Sequence, residues 1–496
     1  MKKYFLLLLL SLCVLNACDS SEQAEKNQEI NISESVSEKE NIKEKSSSIR
    51  NANWSAELMS LMNQINEEHK SVQKKAIDLS LYDEYFPNGK TDFSNIYTHK
   101  SQYSETLTQE QTTEDIDALF EILSQRYALY QTFDEFNDLQ EKIKKIILTQ
   151  EQWSKEKLEN MLIEQFSFIE DSHFYIGSTA VSTTLCPYFY REVKYFRNDD
   201  GIFTYDNKKV IAVEGFSDFE QLFKRSLTVE GDIVYYPIVF AKRAVNKKTA
   251  FLEESTPQQL VVHYDDGSSD ILNAENFNFF VAKDEKDNSI TENNDISVLY
   301  AEETSSLVFS STANDIADKA VSIVDMTRNA GGNARFALQW WQNYTGTAIP
   351  NNFYAFYNAD STADISTQMI CSFENRNGKQ LSYTSEDDFI NNDNLLILLS
   401  GKKTGSAAEC FVDAGHNVEN TLVIGENTSG CLSSNLFISE YLPNSGSRIS
   451  YGNAVYVFPD GYFSECYGFE PDLWCPASEA QEAAVNFIKN NIGLTE

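Results

Sequence analysis

Two short, nearly continuous apolar runs, Val321-Ser-Ile-Val324 and Leu395-Leu-Ile-Leu-Leu399, constrain this chain more than any other feature. Each is bounded by turn-forming residues and is too short for a buried helix, so each reads as a strand. A strand that is apolar at successive positions has no face to give to water, and a parallel sheet between helical layers covers both. From about Ile296 onward such strands alternate with helical segments. This predicts an α/β domain over residues 291–496.

Upstream the periodicity changes twice. Ile116, Leu119, Phe120, Leu123 and Tyr127 recur at helical spacing, as do Phe136, Leu139, Ile143 and Ile147, and then Leu158, Met161, Leu162 and Phe166. They predict an amino-terminal helical domain over residues 54–180. Residues 181–290 shorten to strand patterns such as Lys209–Val213. Ser217 with Glu220 has the spacing of a capping box before Phe219, Leu222 and Phe223, and Asp266-Gly267 follows Leu260–Tyr264 as a tight turn. A β-rich module is expected there.

The first residues have a different purpose. Lys2 and Lys3 precede an apolar run, Leu6–Leu15, that is short for a bilayer span, so residues 1–17 read as a signal peptide. Leu15-Asn16-Ala17-Cys18 resembles a bacterial lipobox, which implies cleavage before Cys18 and lipid on its sulfur. Residues 18–53 then lack aromatic side chains and abound in Ser, Glu, Asn and Lys. Such a stretch cannot bury enough apolar surface to offset its chain entropy and is expected to be a disordered tether. The expectation is a lipoprotein whose folded body, from about Trp54, is extracytoplasmic and meets the membrane through its lipid alone.

A formal net charge of −35 excludes a phosphate-tracking surface, so no nucleic-acid partner is expected. Cys186, Cys371, Cys410, Cys431, Cys466 and Cys475 remain after processing, and both disulfides and buried free thiols are open. No cysteine or histidine spacing resembles a metal site, and no cofactor is expected.

The chemistry gathers where the buried strands end. Leu395–Leu399 runs into Ser400-Gly-Lys-Lys-Thr-Gly-Ser406, and Ala407–Gly415 reads as a helix, which places Ser406 at a strand-to-helix turn. The first amides of a helix can stabilise negative charge, which suits a nucleophile, although serine is also a preferred helix cap. Val324-Asp-Met-Thr-Arg-Asn-Ala-Gly-Gly332 brings a second strand to a paired-glycine turn, where backbone can approach a ligand.

Together with Gly405-Ser-Ala-Ala-Glu409, Gly425-Glu-Asn-Thr-Ser-Gly430 and Phe458-Pro-Asp-Gly461 through Gly468-Phe-Glu-Pro-Asp472, these segments resemble the C-terminal processing (tail-specific) serine peptidase family. The resemblance implies a crotonase/ClpP-like β-β-α catalytic domain with Ser406 as nucleophile. The β-rich module lies where the family often carries a PDZ-like domain, but no Gly-Leu-Gly-Phe type loop is present. In one branch a lysine follows the second glycine of Gly-Glu-x-Thr-x-Gly; here that position is Cys431. Lys402 and Lys403 are expected to point to solvent.

Asp171-Ser-His-Phe174 is similar instead to the Asp-x-His motif of the branch that includes the tricorn protease core and retinoid-binding relatives. That resemblance implies His173 as general base and Glu465 as the acid that orients it, with the Ser172 hydroxyl bridging the two. Gly331 and the amide of Ala407 are the implied oxyanion donors, with Gly332 as fallback. The remaining histidines, His69, His99, His263 and His416, are expected at the surface. The function implied is a serine endopeptidase acting on peptides or unfolded proteins, and the alternative is a catalytically inactive peptide- or lipid-binding lipoprotein on the same fold.

Overall fold

The computed structural model describes residues 53–73, 100, 102–275, 288–293, 296–350, 352–358, 372–376, 379–383 and 389–493. The signal peptide, Cys18, nearly all of the tether, His99 and Cys371 lie outside these residues.

Four helices open the described chain: α1 (Ala56–Gln73), α2 (Gln109–Arg126), α3 (Phe136–Ile147) and α4 (Lys155–Gln165). Thr108 and Gln111 form a capping box at the start of α2, and Ser154 caps α4. The apolar stripes of α2, α3 and α4 meet in one core. The chain leaves α4 through Phe166–Phe174 and enters the short strand β1 (Tyr175–Ile176).

Within the β-rich region the Asp266-Gly267 turn closes a hairpin that pairs Leu260 with Leu272, and Gly267 adopts φ +83°. The expected capping box at Ser217 and Glu220 is absent. Phe219–Leu222 is a single 3-10 turn that starts from Asp218 without a side-chain cap. The turn cannot lengthen because Phe223 already belongs to the next strand, β2 (Phe223–Leu227), where it is buried.

The strands β3 (Ile296–Tyr300), β4 (Val321–Asp325), β5 (Leu395–Ser400) and β6 (Thr421–Gly425) pair in parallel in that order. Leu473–Trp474 and then β2 extend the parallel run, within an eleven-stranded sheet among the described residues. Side chains alternate across it as a pleat requires. Leu395, Ile397 and Leu399 pack with α1 and with α7 (Ala480–Asn491). Leu396 and Leu398 pack with α5 (Ala334–Thr345) and α6 (Ala407–Gly415), against Trp340, Trp341 and Phe411. Helices thus cover both faces, which is why β5 carries no polar residue before Ser400. The register pairs Asp325 with Leu399 and Ser400 with Gly425, so the turns after β4, β5 and β6 leave one edge together. Ligands of parallel sheets sit at that edge.

A second sheet carries β7 (Ser434–Tyr441) and β8 (Arg448–Val457), with β1 paired to β8. Ile449, Tyr451 and Val455 of β8 close the core of α2 to α4. A buried ion pair between Arg126 of α2 and Glu440 of β7 spans the seam, and the Tyr451 hydroxyl donates to Glu440 at 2.6 Å. The helical region is therefore locked to the strands that follow the Ser406 turn. This seam carries His173 to Ser406.

Candidate active site

Ser406 is built by the loop between β5 and α6. The Thr404 hydroxyl donates to the Met326 carbonyl at 2.8 Å, and the Gly405 N–H donates to the Asn329 carbonyl at 3.1 Å, so this loop is pinned to the turn after β4. The Ser406 backbone adopts φ +52° and ψ −119°. A residue with a Cβ holds that conformation only when its surroundings over-determine it, and such strain concentrates at functional sites. The strand-turn-helix placement is that of a serine presented for attack.

Glu409 supplies the constraint. The carboxylate is fully buried and accepts from the Ser406 N–H at 3.0 Å, the Cys431 N–H at 2.9 Å, the Gly430 N–H at 2.7 Å and the Thr428 hydroxyl at 2.6 Å. Burial raises its pKa, and those four donors oppose the rise. The N–H of Glu409 donates in turn to the Ser406 carbonyl at 2.8 Å. The serine hydroxyl is thereby left for another partner.

That partner is His173, whose Nε2 lies 3.3 Å from Ser406 Oγ. The next residue anchors it. Phe174 is fully buried, with its ring centroid 5.3 Å from that of Tyr127 and 5.7 Å from that of Phe166. The His173 N–H donates to Asp171 Oδ1 at 2.8 Å. Burial lowers the His173 pKa below its usual 6.5, and the Asp171 charge and the Ser434 backbone oppose that shift. Tyr127 and Ser434 turn their hydroxyls toward Asp171, but Asp171 Oδ2 and both hydroxyls stop short of hydrogen-bond geometry.

Cys431 Sγ lies 3.5 Å from both ring nitrogens of His173. Equal distances at that range place the sulfur over the ring face rather than in the plane of a nitrogen lone pair. Burial, then the charges of Glu465, Glu409 and Asp171, push the thiol pKa well up, so it stays protonated and unreactive.

Glu465 does not reach the imidazole. Its oxygens accept from the Ser172 N–H at 2.9 Å, the Leu432 N–H at 3.2 Å and the Ser433 N–H at 2.9 Å. Burial, and then Asp171, raise its pKa to about 8. The Ser172 hydroxyl is not a bridge either, since it donates to the Gly430 carbonyl at 3.1 Å. Both residues hold the backbone on which His173 and Cys431 sit.

The glycine turn lies against the nucleophile. A Cβ on Gly331 would fall 2.7 Å from the Gly405 carbonyl oxygen and 2.9 Å from Ser406 Cβ, which only glycine avoids. Its N–H, however, donates to Asn329 Oδ1 at 2.9 Å. The amides of Gly332 and Ala407 have no acceptor among the described residues.

Expectations for two lysines and two histidines are corrected. Lys402 is 2% exposed, and its ammonium donates to the carbonyls of Thr428, of Ser429 at 3.4 Å and of Tyr467 at 3.2 Å. Three loop carbonyls convert a turn lysine into a buried tie beneath the Glu426–Gly430 loop. Lys403 is half-buried beside Arg328 and Glu302, and burial lowers its pKa. His69 and His416 are also interior, with ring centroids 4.5 Å apart. His69 Nε2 lies 2.9 Å from Asp472, and His416 Nδ1 lies 2.6 Å from the Tyr462 hydroxyl. His69 is buried because α1 packs on the sheet, and His416 lies against Tyr462 and Phe469. His263 meets Glu214 at the surface, 3.1 Å apart.

A strained serine, an imidazole on its hydroxyl and an unspent helix amide beside it form the arrangement that serine hydrolases use. Residues 300–474, which span both glycine-bearing turns and Ser406, match the model of peptidase family S41. Solved structures of related shape include mature CPAF complexed with lactacystin (12% identity, TM-score 0.42, 77% of this chain and 97% of that one). A putative peptidase from Parabacteroides merdae gives 14%, 0.40, 77% and 97%, and the photosystem II D1 C-terminal processing protease gives 11%, 0.34, 75% and 93%. No curated protein matches the chain.

Proposed function

We propose that this protein is an extracytoplasmic, lipid-anchored serine endopeptidase that cleaves peptides or unfolded proteins through an acyl-enzyme on Ser406, with His173 as general base. The observation that carries the reading is the 3.3 Å approach of His173 Nε2 to the hydroxyl of a serine held at φ +52°. Neutral His173 takes the hydroxyl proton as Ser406 Oγ attacks the scissile carbonyl carbon. The oxyanion that forms is held by the Ala407 amide and by the glycine turn. Gly332 is the better second donor, because Gly331 would first have to release Asn329. His173 then protonates the departing amine, and water, activated by the same imidazole, releases the acyl group.

In this mechanism Glu465 is a positioning residue that holds Ser172 and the loop at Leu432 and Ser433. The charge of the imidazolium is met by Asp171 and by the Ser434 backbone. Cys18 carries the anchor, and residues 18–53 let the body reach substrate away from the membrane surface.

Labelling with a fluorophosphonate, read on gels, tests the reading. The parent protein is expected to label and to cleave peptides, and Ser406→Ala to do neither while keeping its circular dichroism. A folded parent that neither labels nor cleaves would leave the inactive binding lipoprotein as the function.

A further inference from the structure

Beside the imidazole stands an aromatic wall to which the proposed mechanism gives no task. The Phe437 ring centroid lies 6.1 Å from that of His173, and Tyr175 meets Phe437 edge-on at 5.8 Å and 88°. Both rings are half-buried. They come from strands on opposite sides of β8. Tyr175 pairs with Ser450, Ser450 with Ser439, and Phe437 with Gly452. Residues opposite one another in a pleated sheet share a face, as do residues two apart, so Tyr175, Phe437, Ser439, Ser450 and Gly452 all present the same face. The Ser439 and Ser450 hydroxyls are 2.8 Å apart, as that register requires. Two large rings therefore rise from a floor of two serines and a glycine.

The side of the scissile bond that this wall serves follows from the chemistry of acyl transfer. The imidazole that accepts the serine proton must return it to the leaving nitrogen, so the departing residue lies against His173. The acyl portion lies toward the Ala407 amide and the glycine turn, which hold its carbonyl oxygen. A ring pair next to His173 is consequently in reach of the first residue after the scissile bond.

We infer that Phe437 and Tyr175 form the subsite for that residue, and that it selects an apolar side chain, such as leucine, over a small or charged one. This rests on Ser406 and His173 acting as proposed above. Selection of leucine over glycine by such a site is expected to be about 10- to 100-fold in kcat/KM, the range open to an apolar pocket.

The test uses the folded protein and a pair of quenched peptides identical except for Leu or Gly immediately after the cleaved bond. The parent should prefer the Leu peptide. In Phe437→Ala the preference should collapse to within about threefold, and cleavage of the Leu peptide should fall at least tenfold further than the rate of fluorophosphonate labelling, a reaction without a leaving amino acid. Tyr175→Ala should reduce the same preference and serves if Phe437→Ala does not fold. A parent without preference, or a preference kept in both variants, overturns the inference. So does an equal loss of labelling and of both cleavages, which would make Phe437 a positioning residue for His173. A parent that does not label at all removes the proposed function first, and the two failures are thereby distinguished.

Discussion

At Ser406 the backbone and the side chain answer to different partners. Its N–H is held by Glu409 and its hydroxyl faces His173, so capping the helix and presenting a nucleophile do not compete for one oxygen. The expected pH dependence follows from the imidazole. A general base works when neutral, and burial holds the His173 pKa below 6.5. The kcat/KM profile should therefore rise with pH on an acid limb centred below 6.5 and be level by neutrality. A stopped assay across pH 4.5 to 8 reads this directly, and a profile without an acid limb would remove His173 from the role of base. The proximity of Ser406 and His173 was legible because short sequence patterns surround both. Lys402 was not, since its three carbonyl partners stand 26, 27 and 65 residues away and a neighbouring lysine gives no sign of them.

Among the elements, α6 and the loop from Thr428 to Cys431 are held in register by one buried carboxylate. Removing it leaves four donors without their acceptor around a position that is fully buried. Glu409→Ala is expected to cost about 3–5 kcal/mol, measured by urea denaturation, the scale of breaking a buried, fully satisfied polar cluster. Fluorophosphonate labelling of the folded fraction should fall as the Ser406 turn relaxes. The strands β4 and β5 and the helix α6 could be read from the chain because runs of apolar residues record burial on both faces. Glu409 stands three residues after Ser406, the spacing at which a carboxylate reaches back to a helix start, and that is the signal by which it could have been found. The 3-10 turn at Phe219 was not legible as such, because only the pairing of Phe223 with Pro237 shows where the turn must stop.

For the whole molecule, the order of strands matters most and is least visible in one dimension. Nothing local says that Phe223–Leu227 lies beside Leu473–Trp474, or that α1 closes the face opposite α6 and so buries His69. Such packing also leaves carboxyls inside. Burial raises Glu426 to about 7 from its ordinary 4.5, against the pull of the Ala477 N–H and Lys402. Between those two values the folded chain keeps a proton that the unfolded chain releases. The stability from this group is therefore complete below pH 4.5 and lost as pH rises through 7. Glu426→Gln should shrink the fall in Tm between pH 5 and pH 8 by about 3 °C in scanning calorimetry. An unchanged slope would mean that Glu426 is already ionised in the folded protein.

The ion pair between Arg126 and Glu440 joins the part of the chain that supplies the imidazole to the part that follows the hydroxyl. On the proposed mechanism neither part alone holds a reactive alcohol. On that mechanism a partly synthesised or partly opened chain is expected to spare its neighbours, with activity appearing only when this seam shuts. Loosening the seam would silence the protein well before its central sheet came apart.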